Sequence, residues 1–404
     1  MKSRCVVTLK KGREKPVLVG HPWIFSGAVK SIEGYGEAGD LCSVFDNMGR
    51  FLASGYVNKS SQITVRVLAA GAAAEALAID SAFFIRRLEG ALQLRESLFG
   101  SSFVRGDRTA FRVVNAEGDY LPGLIVDRYA RGLVVQALTA GMQRQKGPII
   151  DGLRTLLAPS FIYERFDNHM AKAEGLSAGV ASNACLHGSL VNPIEIDEHG
   201  ARFQVDVEAG HKTGFYLDQR KNRWILREIS AGMTVLNCFS YTGAFGIQAL
   251  LGGALRTHNV ELSDKVLETA THNAALNGID PELFTTTKAD VFKFLREDTF
   301  LHDIVVLDPP KFAASRRELP GALRGYKDIN LHGLKKVRAG GFLMTFSCSG
   351  QVSEELFQKV VFGAAVDAGR SVQIIRRLHA DVDHPVNIAH REGQYLKGLL
   401  LRVE

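Results

Sequence analysis

The sequence is poor in cysteine and tryptophan and has no long apolar run, and each shortage argues against a class of protein. Five cysteines and two tryptophans occur in 404 residues, with no C-x-x-C pair and no histidine/cysteine cluster at zinc spacing. We therefore expect no disulfide framework and no metal site. No run of about eighteen apolar residues is found, and the basic amino end lacks the apolar stretch of a secretory signal. A cytoplasmic protein with reduced thiols and no membrane span is the expectation.

Two nucleotide-binding motifs are missing from the turn that follows the strand-like run Thr234 to Cys238. This turn has neither the G-x-G-x-x-G of dinucleotide binders nor a G-x-x-x-x-G-K-[ST] loop, so neither NAD nor ATP is favoured. Its formal net charge of +6 shifts the expectation modestly toward a polyanionic partner. A chain of this length is long enough for two or three domains, each with a core of its own.

The most informative stretch runs from Met233 to Leu250. The apolar, β-branched segment Thr234 to Cys238 has the length of a buried strand. Small residues follow, among them Gly243, and then a helical pattern. A strand, a tight turn and a helix in this order predict the first βα unit of a doubly wound sheet, where cofactors bind at the carboxyl end of the strand.

Acidic residues follow the next predicted strands. Glu261 comes about twenty residues after the first unit and is placed to bind a ribose diol. Asp290 follows a third strand and is placed to accept from an adenine amino group. A fourth strand runs directly into Asp308-Pro309-Pro310. Four strand ends in this arrangement resemble the class I S-adenosylmethionine-dependent methyltransferases, which implies an α/β Rossmann-like fold and that cofactor.

The first 72 residues predict a small β-barrel domain. Four β-rich runs are separated by glycine-rich turns: Cys5 to Leu9, Leu41 to Phe45, Phe51 to Val57 and Ile63 to Val67. The segment His-Pro-Trp-Ile-Phe-Ser-Gly around Trp23 resembles the opening of a PUA domain, a small RNA-binding barrel. In that light Lys10 and Lys11 form part of a phosphate-binding surface. For Trp23 itself, core packing is favoured over stacking on a base.

Residues 73–190 predict an α+β linking domain, and residues 191–404 the methyltransferase domain. In the linking domain a helix over Ser81 to Phe99 precedes strands over Ala110 to Asn115, Gly123 to Tyr129 and Gly132 to Thr139, and then a helix over Met142 to Leu157. The acids of the turn Asn115 to Asp119 are interpreted as solvated. We expect this domain to position the substrate.

Cys348 follows a further predicted strand, between two serines, and would face Asp308. Methylation at C5 of cytosine needs a thiolate at this kind of position, because addition to C6 makes C5 nucleophilic. A lone cysteine is more often a buried hydrophobe. Its position favours the nucleophile, whereas Cys238 inside the first strand is interpreted as packing. Lys311 stands where amino-methylating enzymes have an aromatic residue directly after the prolines, and Phe312 follows it.

The full set of motifs resembles one family. His-Pro-Trp-Ile-Phe-Ser-Gly, Gly-Phe-Tyr-Leu-Asp-Gln-Arg, Leu-Asn-Cys-Phe-Ser-Tyr-Thr-Gly, Asp-Pro-Pro-Lys-Phe and Thr-Phe-Ser-Cys-Ser-Gly occur in the order found in bacterial 23S rRNA cytosine-C5 methyltransferases of the large subunit methyltransferase I type. The resemblance implies that Cys348 and Asp308 act on the target base. It implies a cofactor site made by Tyr216, Asp218, Gln219, Asn237, Phe239, Tyr241, Gly243, Glu261, Asp290 and Asp308. It also implies RNA contacts through Lys311, Phe312, Trp23, Lys10 and Lys11.

Several alternatives stay open at this point. The enzyme could methylate a base nitrogen, guanine N7 or an exocyclic amine, with Cys348 merely structural. The chain could also be a non-catalytic RNA-binding protein that kept the fold. Asp218 is equally well placed to cap the helix that follows it. A homodimer could form through Val6 to Leu9 or another edge strand. The sequence does not identify the methylated nucleotide or the base that removes the C5 proton.

Overall fold

The computed structural model describes residues 5–34, 36–75, 77–166, 172, 174–175, 183–313 and 315–404. The chain forms two compact units. The first unit comprises Met1–Ile194, Val205–Phe215 and Val382–Gly393, and the second unit comprises Glu195–Gln204, Tyr216–Asp381 and Gln394–Glu404. The three domains inferred from the sequence stay a prediction beside this division. Within the described part of the chain, no helix combines the length and the apolarity that crossing a membrane requires.

The first unit begins with a six-stranded sheet. Its elements are β1 (Cys5–Leu9), α1 (Lys15–Leu18), β2 (Trp23–Phe25), β3 (Val29–Glu33), β4 (Leu41–Phe45), β5 (Phe51–Val57) and β6 (Ile63–Ala70), in the strand order β2-β6-β5-β4-β1-β3. All four predicted strands are confirmed, while β2 has only three residues and β3, with the sequence Val-Lys-Ser-Ile-Glu, has few apolar residues, so neither was predicted. Because β1 pairs with β3 on one side and with β4 on the other, it is not an edge strand. Dimerisation through Val6 to Leu9 is therefore wrong, and a homodimer through another edge stays a prediction.

A five-stranded sheet with helices completes most of the first unit. Its elements are α2 (Ser81–Phe99), α3 (Ser101–Arg105), β7 (Ala110–Asn115), β8 (Leu124–Tyr129), β9 (Gly132–Ala137), α4 (Ala140–Arg144), α5 (Lys146–Leu157), β10 (Phe161–Glu164) and β11 (Ala184–Gly188), in the strand order β11-β10-β9-β8-β7. The predicted helix α2 is confirmed, with Asp80 capping it by accepting from the Phe83 N–H at 2.9 Å. The predicted helix over Met142 to Leu157 is in fact two helices, which meet at Gln145.

A buried ion pair holds the turn after β7, so the interpretation of its acids as solvated is wrong. Arg95 of α2 is fully buried and donates to both carboxylate oxygens of Asp119. The distance from Arg95 Nη2 to Asp119 Oδ2 is 2.8 Å. The guanidinium also donates to the carbonyl oxygens of Arg112 and Asp383. The Asp119 carboxylate accepts from the Asn115 N–H as well. The charges are paired and hydrogen-bonded, as buried charges must be.

The second unit is a doubly wound sheet. Its elements follow a two-stranded pair, β12 (Ile194–Glu198) and β13 (Ala201–Val205): α6 (Arg220–Ile229), β14 (Thr234–Cys238), α7 (Ala244–Leu251), β15 (Arg256–Glu261), α8 (Asp264–Leu276), β16 (Phe284–Lys288), α9 (Val291–Glu297), β17 (His302–Leu307), α10 (Leu319–Lys336), β18 (Val337–Ser347), α11 (Glu354–Ala368), β19 (Val372–His379) and β20 (Lys397–Val403). The strand order is β16-β15-β14-β17-β18-β20-β19, and β20 runs antiparallel to both of its neighbours. The predicted α/β class is confirmed.

The parallel strands of this sheet end at one edge. Cys238 of β14 is in register with Val260 on one side and with Leu307 on the other. Leu307 is in turn in register with Thr345 of β18. The strand order reverses at β14, and in open α/β sheets the crevice at such a point is where ligands bind. This edge therefore collects the residues that follow β14, β15, β17 and β18.

Candidate active site

The turn after β14 is folded tightly and carries unsatisfied polar atoms. Phe239, Tyr241 and Gly243 adopt positive φ angles of +57°, +47° and +79°, a conformation that costs the two aromatic residues of order 1–3 kcal/mol each. A Cβ on Gly243 would also come within 2.8 Å of the Phe284 ring. Ser240 Oγ and Thr242 Oγ1 are buried, and no described protein atom hydrogen-bonds to either. Such atoms call for a partner, which a bound polar ligand would supply.

Asn237, at the end of β14, adds a third atom of this kind. Its side chain is fully buried, and its Nδ2 donates to Asn259 Oδ1 at 2.9 Å. Among the described residues, Asn237 Oδ1 has no hydrogen-bond partner. The amide is thus held by β15 and keeps one acceptor available beside the turn.

Glu261 closes this side of the crevice. Its Oε2 accepts from the Tyr241 N–H at 3.0 Å and its Oε1 from the Leu262 N–H at 2.7 Å. Both carboxylate oxygens keep further acceptor capacity. The two bonds hold the carboxylate beside the strained turn. Asp290, after β16, is exposed, and its Oδ1 caps α9 by accepting from the Lys293 N–H at 3.0 Å.

Tyr216 lies where several of the predicted residues meet. Its ring stands nearly perpendicular to that of Tyr241, at a centroid distance of 5.2 Å. Burial, and after it the negative charges of Asp308 and Asp218, raise the pKa of Tyr216 far above its usual range. The charge of a Cys348 thiolate acts in the same direction. The Tyr216 hydroxyl therefore stays protonated and can donate a hydrogen bond at this site.

The segment after Tyr216 is buried and does not serve as a helix cap. Asp218 lies in a short 3₁₀ turn before α6, where Gln219 is the N-cap residue, so the interpretation of Asp218 as a cap is wrong. Asp218 Oδ2 instead accepts from the Tyr395 hydroxyl at 2.6 Å. Gln219 Oε1 accepts from Asn222, whereas no described atom partners its Nε2.

Cys348 lies opposite the Asp-Pro-Pro loop. It is half-buried, and its Sγ is 3.9 Å from the Pro309 carbonyl oxygen. Ser349, next to it, is fully buried, and its Oγ accepts from the Ala313 N–H at 3.2 Å. The Tyr326 hydroxyl lies 3.0 Å from the same Oγ. These bonds tie the loop after β18 to the loop after β17 and to α10, which holds the thiol against the Asp-Pro-Pro loop that begins at the half-buried Asp308.

The residues predicted to contact RNA lie in different settings. Lys311 is exposed, while the half-buried Phe312 packs at centroid distances of 4.7 Å from Tyr326 and 5.8 Å from Phe292. In the first unit, Lys10 and Lys11 are exposed just after β1. Trp23 there is half-buried, and its Nε1 donates to Glu117 at 2.8 Å. Packing accounts for much of the Trp23 and Phe312 surface, and a role in RNA binding stays a prediction for all five residues.

Sequence reasoning missed two polar residues around the last strand. Tyr395 binds Asp218, and Lys397 Nζ donates to the carbonyl oxygens of Ser349 and Val352 at 2.8 and 2.6 Å. Neither belongs to a recognisable motif. The one available signal was a lysine at the start of a strand that is otherwise almost entirely apolar.

The strand order and the site at its switch point define a class I methyltransferase domain. A family model described as S-adenosylmethionine-dependent methyltransferase matches residues 172–381, and one described as PUA-like domain matches residues 7–70. The cofactor is accordingly S-adenosylmethionine. The unsatisfied buried atoms of Asn237, Ser240 and Thr242 fit a polar ligand of this kind.

Close relatives cover nearly the whole chain. Proteins named ribosomal RNA large subunit methyltransferase I, from Aeromonas salmonicida and Shewanella amazonensis, are 46% and 45% identical over 98% of this chain and 98% and 99% of their own. A solved structure from Streptococcus mutans, provisionally described as a SAM-dependent methyltransferase, covers 98% of this chain and 99% of its own with a TM-score of 0.82. At 21% identity it shows the fold alone. The chain belongs to the S-adenosylmethionine-dependent methyltransferases, in the family of ribosomal RNA large subunit methyltransferase I.

Proposed function

We propose that this protein methylates C5 of a cytosine in large-subunit ribosomal RNA through a covalent bond between Cys348 Sγ and cytosine C6. The observation that carries the proposal is the position of Cys348, half-buried on a loop that is bonded to the Asp-Pro-Pro loop. The names of the relatives support the ribosomal substrate. A cytoplasmic location goes with that substrate and is part of the proposal.

The chemistry follows from the residues at the site. The Cys348 thiolate adds to C6, the C5–C6 π electrons move toward C5, and C5 becomes nucleophilic. The cofactor would supply the methyl group from its sulfonium, so that the bond from C5 to the methyl group forms as the sulfur–methyl bond breaks and S-adenosylhomocysteine is left. A base then removes the C5 proton, the C–H electron pair restores the C5–C6 double bond, and the S–C6 bond breaks to regenerate the thiolate. Addition first is needed because C5 of a neutral cytosine is a poor nucleophile.

Asp308 is assigned to the target base, and Tyr216 can bond to the base or to the cofactor. A carboxylate on the loop that the thiol contacts can accept a hydrogen bond from the exocyclic amino group of cytosine. The two prolines after Asp308 stiffen the loop that carries it, which keeps the carboxylate in one place. The protonated Tyr216 hydroxyl, near both Asp308 and Cys348, can donate to an acceptor on the base or on the cofactor.

The cofactor residues are assigned by position. Tyr216, Asn237, Tyr241 and the turn to Gly243 would surround the methionine part, with Asp218, Gln219 and Phe239 beside them. Glu261 would accept from the ribose hydroxyls, and Asp290 from the adenine amino group. These roles suit the donors and acceptors that the side chains present at the carboxyl edge of the sheet.

Replacement of Glu261 by glutamine is expected to weaken cofactor binding by about 10- to 100-fold, because hydrogen bonds to a charged group contribute about 1.5–3 kcal/mol each. The amide would also turn a donor toward one of the two N–H groups that the carboxylate now accepts from. Calorimetric titration with S-adenosylhomocysteine measures the change. Glu282→Gln, at an exposed site before β16, serves as the matched control. Equal affinities of Glu261→Gln and wild type would contradict the assignment.

Methyl transfer from labelled S-adenosylmethionine to unmodified large-subunit rRNA, followed by nucleoside analysis, tests the proposed reaction. Label in 5-methylcytidine supports it. Label in a methylated guanine, or in N4-methylcytidine, would show attack by a base nitrogen and would leave Cys348 without a covalent role. No transfer to naked RNA, but transfer to an assembled large subunit, would place the same reaction later in ribosome assembly.

A further inference from the structure

Lys397 is a buried cation placed against the loop of the proposed nucleophile. It is the first residue of β20, is 3% exposed, and lies directly opposite Ser347 in the antiparallel pairing of β18 with β20. Ser347 is the residue before Cys348. The insertion of β20 beside β18 thus brings a lysine next to the end of the strand that carries the thiol.

The ammonium group of Lys397 binds the Cys348 loop itself. Its Nζ donates to the carbonyl oxygens of Ser349 and Val352, at 2.8 and 2.6 Å. Both acceptors belong to the segment between Cys348 and the start of α11. Two bonds from a single buried donor hold this loop more firmly than a solvated side chain could, since no water competes for them.

The charge of Lys397 also acts on Cys348. Burial lowers the pKa of Lys397 to about 8, and the charges of Cys348 and then Glu354 oppose that shift. The interaction is mutual, so a positive charge on Lys397 stabilises the thiolate of Cys348. Tyr216 and Tyr326 also interact electrostatically with the thiol, and Asp308 lies on the neighbouring Asp-Pro-Pro loop. The two phenols have raised pKa values, and a carboxyl group carries no positive charge in either form, so none of these three groups supplies a cation.

We propose that Lys397 is a positioning residue that fixes the Cys348 loop and supplies the positive charge against which Cys348 is held as a thiolate. The proposal rests on the proposed function, since it explains how the nucleophile of that reaction is activated. A thiolate is the reacting form of cysteine, and a nearby cation is the usual means of populating it near neutral pH. The proposal gives Lys397 a role that acts through Cys348 and assigns it no bond to the substrate.

The test measures the thiol directly, apart from RNA methylation. Full-length protein is treated with iodoacetamide over a range of pH, and the adduct on the Cys348 peptide is followed by mass spectrometry, with the exposed Cys185 as an internal reference. In wild type, Cys348 should become reactive toward iodoacetamide at a lower pH than Cys185. Lys397→Met, which keeps length but removes the charge, should slow alkylation of Cys348 at pH 7 by about tenfold and leave Cys185 unchanged. Lys335→Met, at an exposed lysine late in α10, is the matched control.

Further measurements separate this role from a purely structural one. Lys397→Arg keeps the charge and should restore most of the Cys348 reactivity, while S-adenosylhomocysteine affinity should be the same in all variants. If the rate of Cys348 alkylation depends on pH in the same way in Lys397→Met as in wild type, the proposal is overturned. If Lys397→Met does not fold, the wild-type profile decides, and a Cys348 thiol that titrates no lower than Cys185 would overturn it. Methylation that survives Cys348→Ala would defeat the proposed function instead, without altering the alkylation result.

Discussion

Cys348→Ala is expected to lower the rate of methyl transfer to large-subunit rRNA by at least about 1,000-fold, because removal of a covalent nucleophile removes the whole pathway that depends on it. The substitution deletes one sulfur atom at a half-buried position, so the fold should be retained. The affinity for S-adenosylhomocysteine should also be unchanged, since the buried polar atoms of the turn after β14 are untouched. Loss of kcat with retained cofactor binding is thus the expected result.

Two comparisons make this prediction sharp. Cys185→Ala removes an exposed thiol and should methylate at the wild-type rate. RNA that carries 5-fluorocytidine should trap wild-type protein in a complex stable to denaturing electrophoresis, because fluorine cannot leave C5 as a proton does. The Cys348→Ala variant should form no such complex. Methylation by Cys348→Ala at more than about a tenth of the wild-type rate would rule out the covalent mechanism.

Asp119→Ala is expected to destabilise the first unit by about 3–5 kcal/mol, the usual cost of leaving one member of a buried ion pair without its partner. Arg95 is fully buried and donates to both oxygens of this carboxylate. After the substitution, its remaining hydrogen bonds to carbonyl oxygens cannot balance the charge. The Asn115 N–H would lose its acceptor as well.

The two tryptophans allow this change to be measured in the right part of the chain. Trp23 belongs to the first unit and Trp224 to the second, so urea unfolding in a Trp224→Phe background reports the first unit through its fluorescence. Asp151→Ala, which removes the exposed partner of Arg154, is the control and should leave the midpoint unchanged. The double variant Arg95→Met/Asp119→Leu should recover part of the loss, since it removes both charges. A midpoint unmoved by Asp119→Ala would show that Arg95 is not held by this pair.

Local pattern was enough to predict the order of elements along the chain. The β-branched run Thr234 to Cys238, the small residues after it and the acids at Glu261, Asp290 and Asp308 predicted parallel strands whose ends share one edge, and the strand register agrees. Such a prediction is possible because alternation, strand length and turn residues are properties of neighbouring residues. Where the local pattern is short, as in β2, or carries few apolar residues, as in β3, the strand was not predicted for the same reason.

Interactions between distant residues were decided by the tertiary structure alone. The sequence pattern predicts a solvated turn residue at Asp119, whereas α2 places Arg95 within hydrogen-bonding distance of its carboxylate. The pattern likewise predicts a helix cap at Asp218, whereas its carboxylate accepts from Tyr395, 177 residues away. The environment of Cys348 likewise depends on β20, which enters the sheet antiparallel between β18 and β19 and so brings Lys397 to the loop. The sequence by itself determined the class of fold, the cofactor and the candidate nucleophile, because each can be inferred from short motifs of contiguous residues. The charges and partners that tune those residues come from segments far apart in the chain, and only the packing of the strands brings them within hydrogen-bonding distance.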